Sequence, residues 1–501
     1  WHGRPWHETV LYELHVGSFT SAGDYDGVRA RLDHLVEIGV TAVELMPLAD
    51  FAGERNWGYD GVLPFAPDSA YGRPDQLKRL IDAAHGRGLQ VFLDVVYNHF
   101  GPDGNFLHHY APAFFTERLS TPWGAAIDFS RPEVRAFFIH NALYWLEEYR
   151  IDGLRLDAVH AIIDDSDPHV LEELAERVRA HFGDEREIHL VLENDANQAR
   201  YLDRDDNGRA RHYDAQWNDD IHHALHTVAT GESGGYYEDY IDRPLAHLAR
   251  CLASGFAYQG EPSPHRDHQP RGESSAHLPP PAFVNFIQNH DQIGNRALGE
   301  RLTQLAELAA VRAIAAIALM APGVPLLFMG EEWAASQPFL FFCDFHDELA
   351  DAVREGRRRE FARFPEFRDP AARERIPDPN DPETFARTVL DWREPQRRPH
   401  AEQLAFYRAL LRLRHDHIVP RLPGTAGHAG TVHPTQGVLR VDWTLGDGST
   451  LHLLARLADS PRSGAALPMP GRRLYTSDPA ADPAHGALPP WTVIWNIAGT
   501  A

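Results

Sequence analysis

Eight short apolar runs, each parted from the next by a helical pattern or a long loop, constrain this 501-residue chain most. They lie at 10–16, 41–46, 89–96, 153–156, 188–192, 213–217, 283–287 and 324–329. Between them, 25–38, 74–85, 132–149 and 170–182 carry apolar residues at helical spacing, with Gly39 placed to end the first and Pro132 to open the third. The run at 89–96 is almost continuously apolar, as a strand buried on both faces must be. Strands alternating with helices give parallel pairing, and eight such units favour a closed (β/α)8 barrel over an open doubly wound sheet.

Two loops are too long for simple connections, 98–131 and 230–281, and loops of that length in a compact domain are usually functional. From 334 to 423 the pattern becomes helical and irregular. After about 424 it changes again. Residues 438–443 alternate with period two, Asp447-Gly448 supplies a hairpin turn into 451–454, and 491–495 reads as a last strand. The expected organisation is therefore a catalytic barrel over 1–423 with inserted loops, followed by a C-terminal β-sandwich over 424–501.

Composition narrows the function. With 43% hydrophobic and 24% charged residues the chain is an ordinary globular protein. A formal charge of −24 argues against nucleic acid or an anionic membrane as the main partner. The longest apolar stretch, 305–329, is interrupted by Glu307, Arg312, Pro322 and Gly323, so it reads as helix, turn and strand and not as a membrane span. Two cysteines, Cys251 and Cys343, allow no disulfide framework, and a cytoplasmic setting is expected.

In a (β/α)8 barrel the active site lies at the C-terminal ends of the strands. Here those ends are polar. The third holds Asp94 and runs into Tyr97-Asn98-His99, and the fourth gives Arg155 and Asp157. The fifth ends at Glu193-Asn194-Asp195 and the seventh at Asn289-His290-Asp291. Any one could be a helix cap or a structural histidine, but four converging on one rim crowd carboxylates into one mouth. Such a site suits attack on a glycosidic bond, with one carboxylate ionised and one carboxylic acid protonated. Arg155 and Asp157 leave the same face of their strand, so the guanidinium holds Asp157 ionised as a nucleophile. Glu193 has no cationic neighbour in sequence and two carboxylates nearby, which suits the proton donor. No close histidine–carboxylate spacing of the metalloenzyme type is present, so no metal-ligating residues and no cofactor are expected, while a rim calcium on loop oxygens stays open.

The segments 94–99, 153–157, Glu193 after its apolar strand, and Asn289-His290-Asp291 resemble the four signature regions of the α-amylase family, glycoside hydrolase family 13. Their order and spacing match over about 8–335. The resemblance implies that Asp157 is the nucleophile, Glu193 the acid/base and Asp291 the transition-state stabiliser. It implies that Arg155, His99 and His290 line the subsite of the attacked sugar, that Tyr59 is its aromatic platform, and that Asp94 and Asn98 are structural supports. Within the family, the stretch 54–67 with Trp57 and Tyr59, the run 217–224 (Trp-Asn-Asp-Asp-Ile-His-His-Ala) and the closing 489–495 resemble the maltooligosyltrehalose trehalohydrolases. That implies hydrolysis of the α-1,4 bond next to the terminal trehalose of maltooligosyltrehalose. Glycogen branching enzymes and other transglycosylases of the family are the nearest alternative, and a non-catalytic glucan-binding barrel a remote one. Trp57 is expected at the substrate, and Trp217 as an exposed sugar platform. An N-terminal β-sandwich, general in these enzymes, is expected to be missing, because the first strand begins by Val10. The expected partner is an α-glucan, bound by a monomer or homodimer.

Overall fold

In the computed structural model the described residues are 1–121, 124–362, 364–433, 435 and 437–499. Eight parallel strands close into a barrel: β1 (Leu11–Leu14), β2 (Ala42–Leu45), β3 (Gln90–Val95), β4 (Gly153–Leu156), β5 (His189–Leu192), β6 (Ala215–Trp217), β7 (Phe283–Asn285) and β8 (Val324–Phe328). Each pairs with its neighbours in sequence, and β8 returns to β1 with Leu11 opposite Leu326. The strands fall within the eight apolar runs. Helices at Pro74–His85, Pro132–Glu148 and Val170–Phe182 follow β2, β3 and β4, and Gly39 ends the first helical layer at φ 100°.

The barrel is plugged at one level and charged at the next. Leu11, Ala42, Phe92, Val191, Ala215, Val284 and Val324 form a buried apolar cluster. Gly153 belongs to this level because the Phe92 ring fills the space; a Cβ on Gly153 would stand 2.2 Å from that ring. Two residues further along β1 to β5 stand Glu13, Glu44, Asp94, Arg155 and Glu193. Side chains alternate along a strand, so all five keep the inward direction of the apolar residues below them. Five charged side chains cannot fill a core, and they mark this end as the working one.

The insert after β3 contains a short helix (Leu107–Tyr110) and a hairpin. The segment 230–281, expected to be irregular, holds a helix, Pro244–Ser254, whose buried Leu248, Cys251 and Leu252 have helical spacing. The C-terminal region is all β: one five-stranded antiparallel sheet of β9 (Gly430–Val432), β10 (Leu439–Thr444), β11 (Thr450–Arg456), β12 (Arg472–Thr476) and β13 (Thr492–Ala498). Its barrel-facing side is anchored by the stacked Trp443 and Trp495, whose indole N–H groups donate to the carbonyls of Leu252 and Ala316. Its other side, with Leu454 and Ile494, is covered by Leu467 and Leu488 from the long β11–β12 and β12–β13 connections. Among the described residues that loop layer takes the place a second sheet would have in a sandwich. Both cysteines are buried free thiols, and no described helix is long and apolar enough to cross a membrane.

Candidate active site

Arg155, buried on β4, organises the charged end. One of its terminal nitrogens donates to Asp94 at 2.7 Å and to Asp157 at 2.8 Å, and the other lies 3.3 Å from Glu193. Three carboxyl groups thus converge on one guanidinium, of which Asp157 and Glu193 remain partly open, with side chains 13% and 15% exposed. Asp157 is held further by Asn98, whose amide donates to its carboxylate at 2.8 Å and to its backbone carbonyl at 3.0 Å. Asp94 also accepts from the Tyr59 hydroxyl at 2.6 Å. His99 engages Asn98 through Nδ1 and the Tyr59 carbonyl, 2.8 Å away, through Nε2. Tyr59, Asp94, Arg155, Asp157, Asn98 and His99 therefore close a ring of hydrogen bonds around the nucleophile position. His99 acts in it as a brace on the Tyr59 turn.

Glu193 lives in a different field. The Ala158 N–H donates to it at 2.6 Å, from a residue in the left-handed region, φ 41°, directly after Asp157. That conformation is costly for a residue with a Cβ, and here it aims the amide at the acid. Burial pushes the Glu193 carboxyl up to about 8, against the pull of Arg155 and with help from Asp157, Asp219 and Asp291. Asp94, more deeply buried, rises only to about 6, because Arg155 and Tyr59 stabilise its charge.

His290 and Asp291 begin a short helix, with Asn289 capping the Asp291 and Gln292 amides. The His290 ring stacks on Tyr59 at 5.0 Å and is gripped by Glu13 through its Nδ1 and its backbone N–H. Glu13 raises the imidazole to about 9, so His290 is a cation beside Asp291, 3.4 Å from its Nε2. Asp291 is the most open of the three catalytic candidates, with a side chain 40% exposed.

Two expected substrate contacts are not made. Trp217 is 1% exposed and lies against Arg155, the guanidinium carbon 4.2 Å from the ring. It ends β6 pointing inward above Ala215, so it is a support for Arg155 and not a sugar platform. Trp57 is also buried, stacked on Phe339 at 5.2 Å with its N–H on the Leu340 carbonyl, and it backs His290. Tyr59 keeps a partly open ring.

Beyond Glu193 the site opens into a cavity of about 250 Å³ whose lining includes His160, Asp219, His223, Tyr236, Arg271 and Asp291. Its wall hangs on Arg271, which donates to Asp220 at 2.7 Å, to Tyr240 at 2.8 Å and to Asp195. Asp220 also accepts from the amides of Ala257 and Tyr258, which fastens the 255–275 loop to the barrel. Arg271 was not foreseeable, since it stands alone in an irregular loop. Glu13 and Glu44 carried a signal, a carboxylate inside an otherwise apolar barrel strand. A larger cavity, about 680 Å³, lies at the opposite end between Trp6, Phe182, Arg204 and Pro423, away from every catalytic candidate. Among the described residues no group of histidine, cysteine or acidic side chains is arranged to hold a metal ion.

Known proteins bear on this geometry. Residues 16–111 match the family model "Alpha amylase, catalytic domain", and 426–495 match a domain of unknown function, DUF3459. A malto-oligosyltrehalose trehalohydrolase from Deinococcus radiodurans is 44% identical over 94% of this chain and 76% of its own length. A crystal structure from Salmonella typhimurium with the provisional description alpha amylase superimposes with a TM-score of 0.94 at 48% identity, over 99% of this chain and 83% of that one. A 1,4-alpha-glucan branching enzyme from Mycobacterium bovis is 40% identical, but over only 30% of this chain and 22% of its own.

Proposed function

We propose a retaining hydrolysis for this chain, which belongs to the malto-oligosyltrehalose trehalohydrolase family and is a glycoside hydrolase of the α-amylase type. The substrate in this reading is an α-1,4-glucan ending in trehalose, cut at the bond next to the trehalose unit. Asp157 attacks the anomeric carbon while Glu193 gives its proton to the glycosidic oxygen, so trehalose leaves as a neutral alcohol and the glucan stays as an ester on Asp157. Water then enters. Glu193, now a carboxylate, takes its proton, the hydroxide equivalent attacks the same carbon, and the ester bond to Asp157 breaks. Asp291 and the cationic His290 hold hydroxyls of the attacked sugar against the open face of Tyr59.

One observation carries the reading: a single guanidinium, that of Arg155, touches both Asp157 and Glu193. This supports the short spacing of about 5–5.5 Å that retaining pairs use, in place of the roughly 6.5–9.5 Å of inverting ones. The same pair is set apart by its surroundings: Arg155 and Asn98 both donate hydrogen bonds to the Asp157 carboxylate, while burial keeps the proton on Glu193 at neutral pH. The cavity past Glu193 is the place for the leaving trehalose. Every residue of this chemistry lies in 1–423, with 424–501 as an appended β-domain. A cytoplasmic setting belongs to the reading and is supported by two cysteines kept as buried thiols.

The test is a product analysis. Incubated with maltotriosyltrehalose, the enzyme releases free trehalose and maltotriose; with amylose it makes no new α-1,6 branches. Branch formation from amylose without trehalose release from the first substrate overturns the proposal in favour of a transglycosylase.

A further inference from the structure

The acidic groups around the leaving-group cavity are unequally engaged. Asp195 is paired with Arg266 and Arg271. Asp220 is saturated by Arg271, Tyr240 and two amides. Asp239 accepts from the Ser263 hydroxyl and the His265 amide. Asp291 accepts from Asn295 and faces His290. Asp219 alone of the cavity's acidic side chains takes no hydrogen bond and no ion pair among the described residues, although it lines the same space as Glu193 and Asp291.

Its position is rigid. Asp219 is the first residue of a helix, Asp219–Thr230, capped by Asn218 and preceded by Trp217, which is wedged under Arg155. One turn on, His223 lines the cavity with a buried Nδ1 that has no partner. Of the histidines that line the cavity, burial pushes His160 and His223 down toward the neutral form. The charges acting most strongly on Asp219 are those of Arg271 and Arg155, each already shared with other carboxylates, and of Asp220 and Asp291; Glu193, Asp195, Asp239, His265 and Arg266 line the same cavity.

We propose that Asp219 is a positioning residue for the acid step: its unpaired carboxyl, sharing the leaving-group cavity with Glu193, keeps the catalytic proton on Glu193. This rests on Glu193 being the acid, as proposed above. Burial and acidic neighbours raise both carboxyls, Asp219 and Glu193, above the ordinary carboxylate range, and each counts among the charges that act on this small group of acids. A like charge disfavours ionisation of its neighbour, so removing Asp219 lets Glu193 lose its proton at lower pH.

The experiment is a pair of pH–rate profiles for wild type and Asp219→Asn, with maltotriosyltrehalose and with α-maltosyl fluoride, whose leaving group needs no proton. On the glucan, each profile is scaled to its own plateau, because Asp219 lines the cavity that takes the leaving sugar and its loss can lower turnover at every pH. The alkaline limb of the variant lies about half a unit to one unit lower, which is roughly a threefold to tenfold loss at high pH. On the fluoride the limb of the scaled profile does not move between the two enzymes, and Asp219→Glu restores the limb on the glucan. Asp219→Ser, which also removes the charge, takes the place of the Asn variant if that one does not fold. An unmoved limb on the glucan, or an equal shift of the limb on both substrates, overturns the proposal. Glu193→Gln, run alongside, separates the failures: normal turnover of the glucan by that variant sinks the acid assignment and Asp219 with it, whereas its collapse beside an unmoved Asp219→Asn limb sinks the Asp219 role alone.

Discussion

On the sugar-holding side of the catalytic pair, Tyr59, Asp94, Asn98, His99, Arg155 and Asp157 satisfy one another in a closed ring, and every member comes from a strand end or from the turn at 56–60. On the leaving-group side, Asp195, Asp219, Asp220 and Arg271 come from the end of β5, the helix after β6 and a loop fifty residues further on, and Asp219 is left over. The first side surrounds Asp157 with hydrogen-bond donors; the second leaves Asp219 without a partner beside Glu193. In the proposed reaction two carboxyl groups on one arginine perform opposite halves because their outer surroundings differ.

The hardest blow to this contrast is Asp157→Ala. Without the nucleophile, turnover falls by roughly 10⁴-fold or more with both glucan and fluoride, while the fold survives. Normal activity in that variant breaks the contrast outright. Glu193→Gln loses about 10²–10⁴-fold on maltotriosyltrehalose and far less on α-maltosyl fluoride, which separates the acid side from the nucleophile side in one assay. Asp220→Ala strips Arg271 of its buried partner. It costs about 3–5 kcal/mol, read as a lower denaturation midpoint, and loosens the leaving-group wall; an unchanged midpoint shows that the wall does not hang on that pair.

Trp217→Leu tests the revised role of that residue. It lowers stability by a few kcal/mol and reduces kcat through Arg155, with KM for the glucan changed by less than about twofold. A rise in KM with kcat intact restores it as a sugar platform. The smallest effect concerns His290. Its raised value of about 9 exceeds the unfolded value near 6.5, so the Glu13–His290 pair stabilises fully below pH 6.5 and fades as pH rises through about 9. Glu13→Gln therefore loses most stability near pH 6, and the midpoint difference from wild type shrinks toward pH 10.

The sugar-holding side was largely legible from the chain because it is written at strand ends with period two: Asp94 lies two residues beyond Phe92, and Asp157 two beyond Arg155. The same parity, applied to Ala215 and Trp217, puts Trp217 inside the barrel, and preferring an exposed aromatic overlooked it. The leaving-group side was not legible. Arg271 follows Pro270 in a loop without periodicity, and what it does depends on where Asp195 and Asp220 are brought by other segments. Asp220 and His223 sat in a recognisable run, but the run does not say which of them faces the cavity.

The apolar plug of Leu11, Ala42, Phe92, Val191, Ala215, Val284 and Val324 has a consequence for traffic. It makes the catalytic well a cul-de-sac: nothing reaches Asp157 from below, so the water that ends the cycle must come in by the doorway through which the departing sugar goes out. In the proposed cycle a sugar alcohol that lingers there competes with water for the glucan ester, so the balance of hydrolysis against transfer to another sugar depends on how fast that doorway empties.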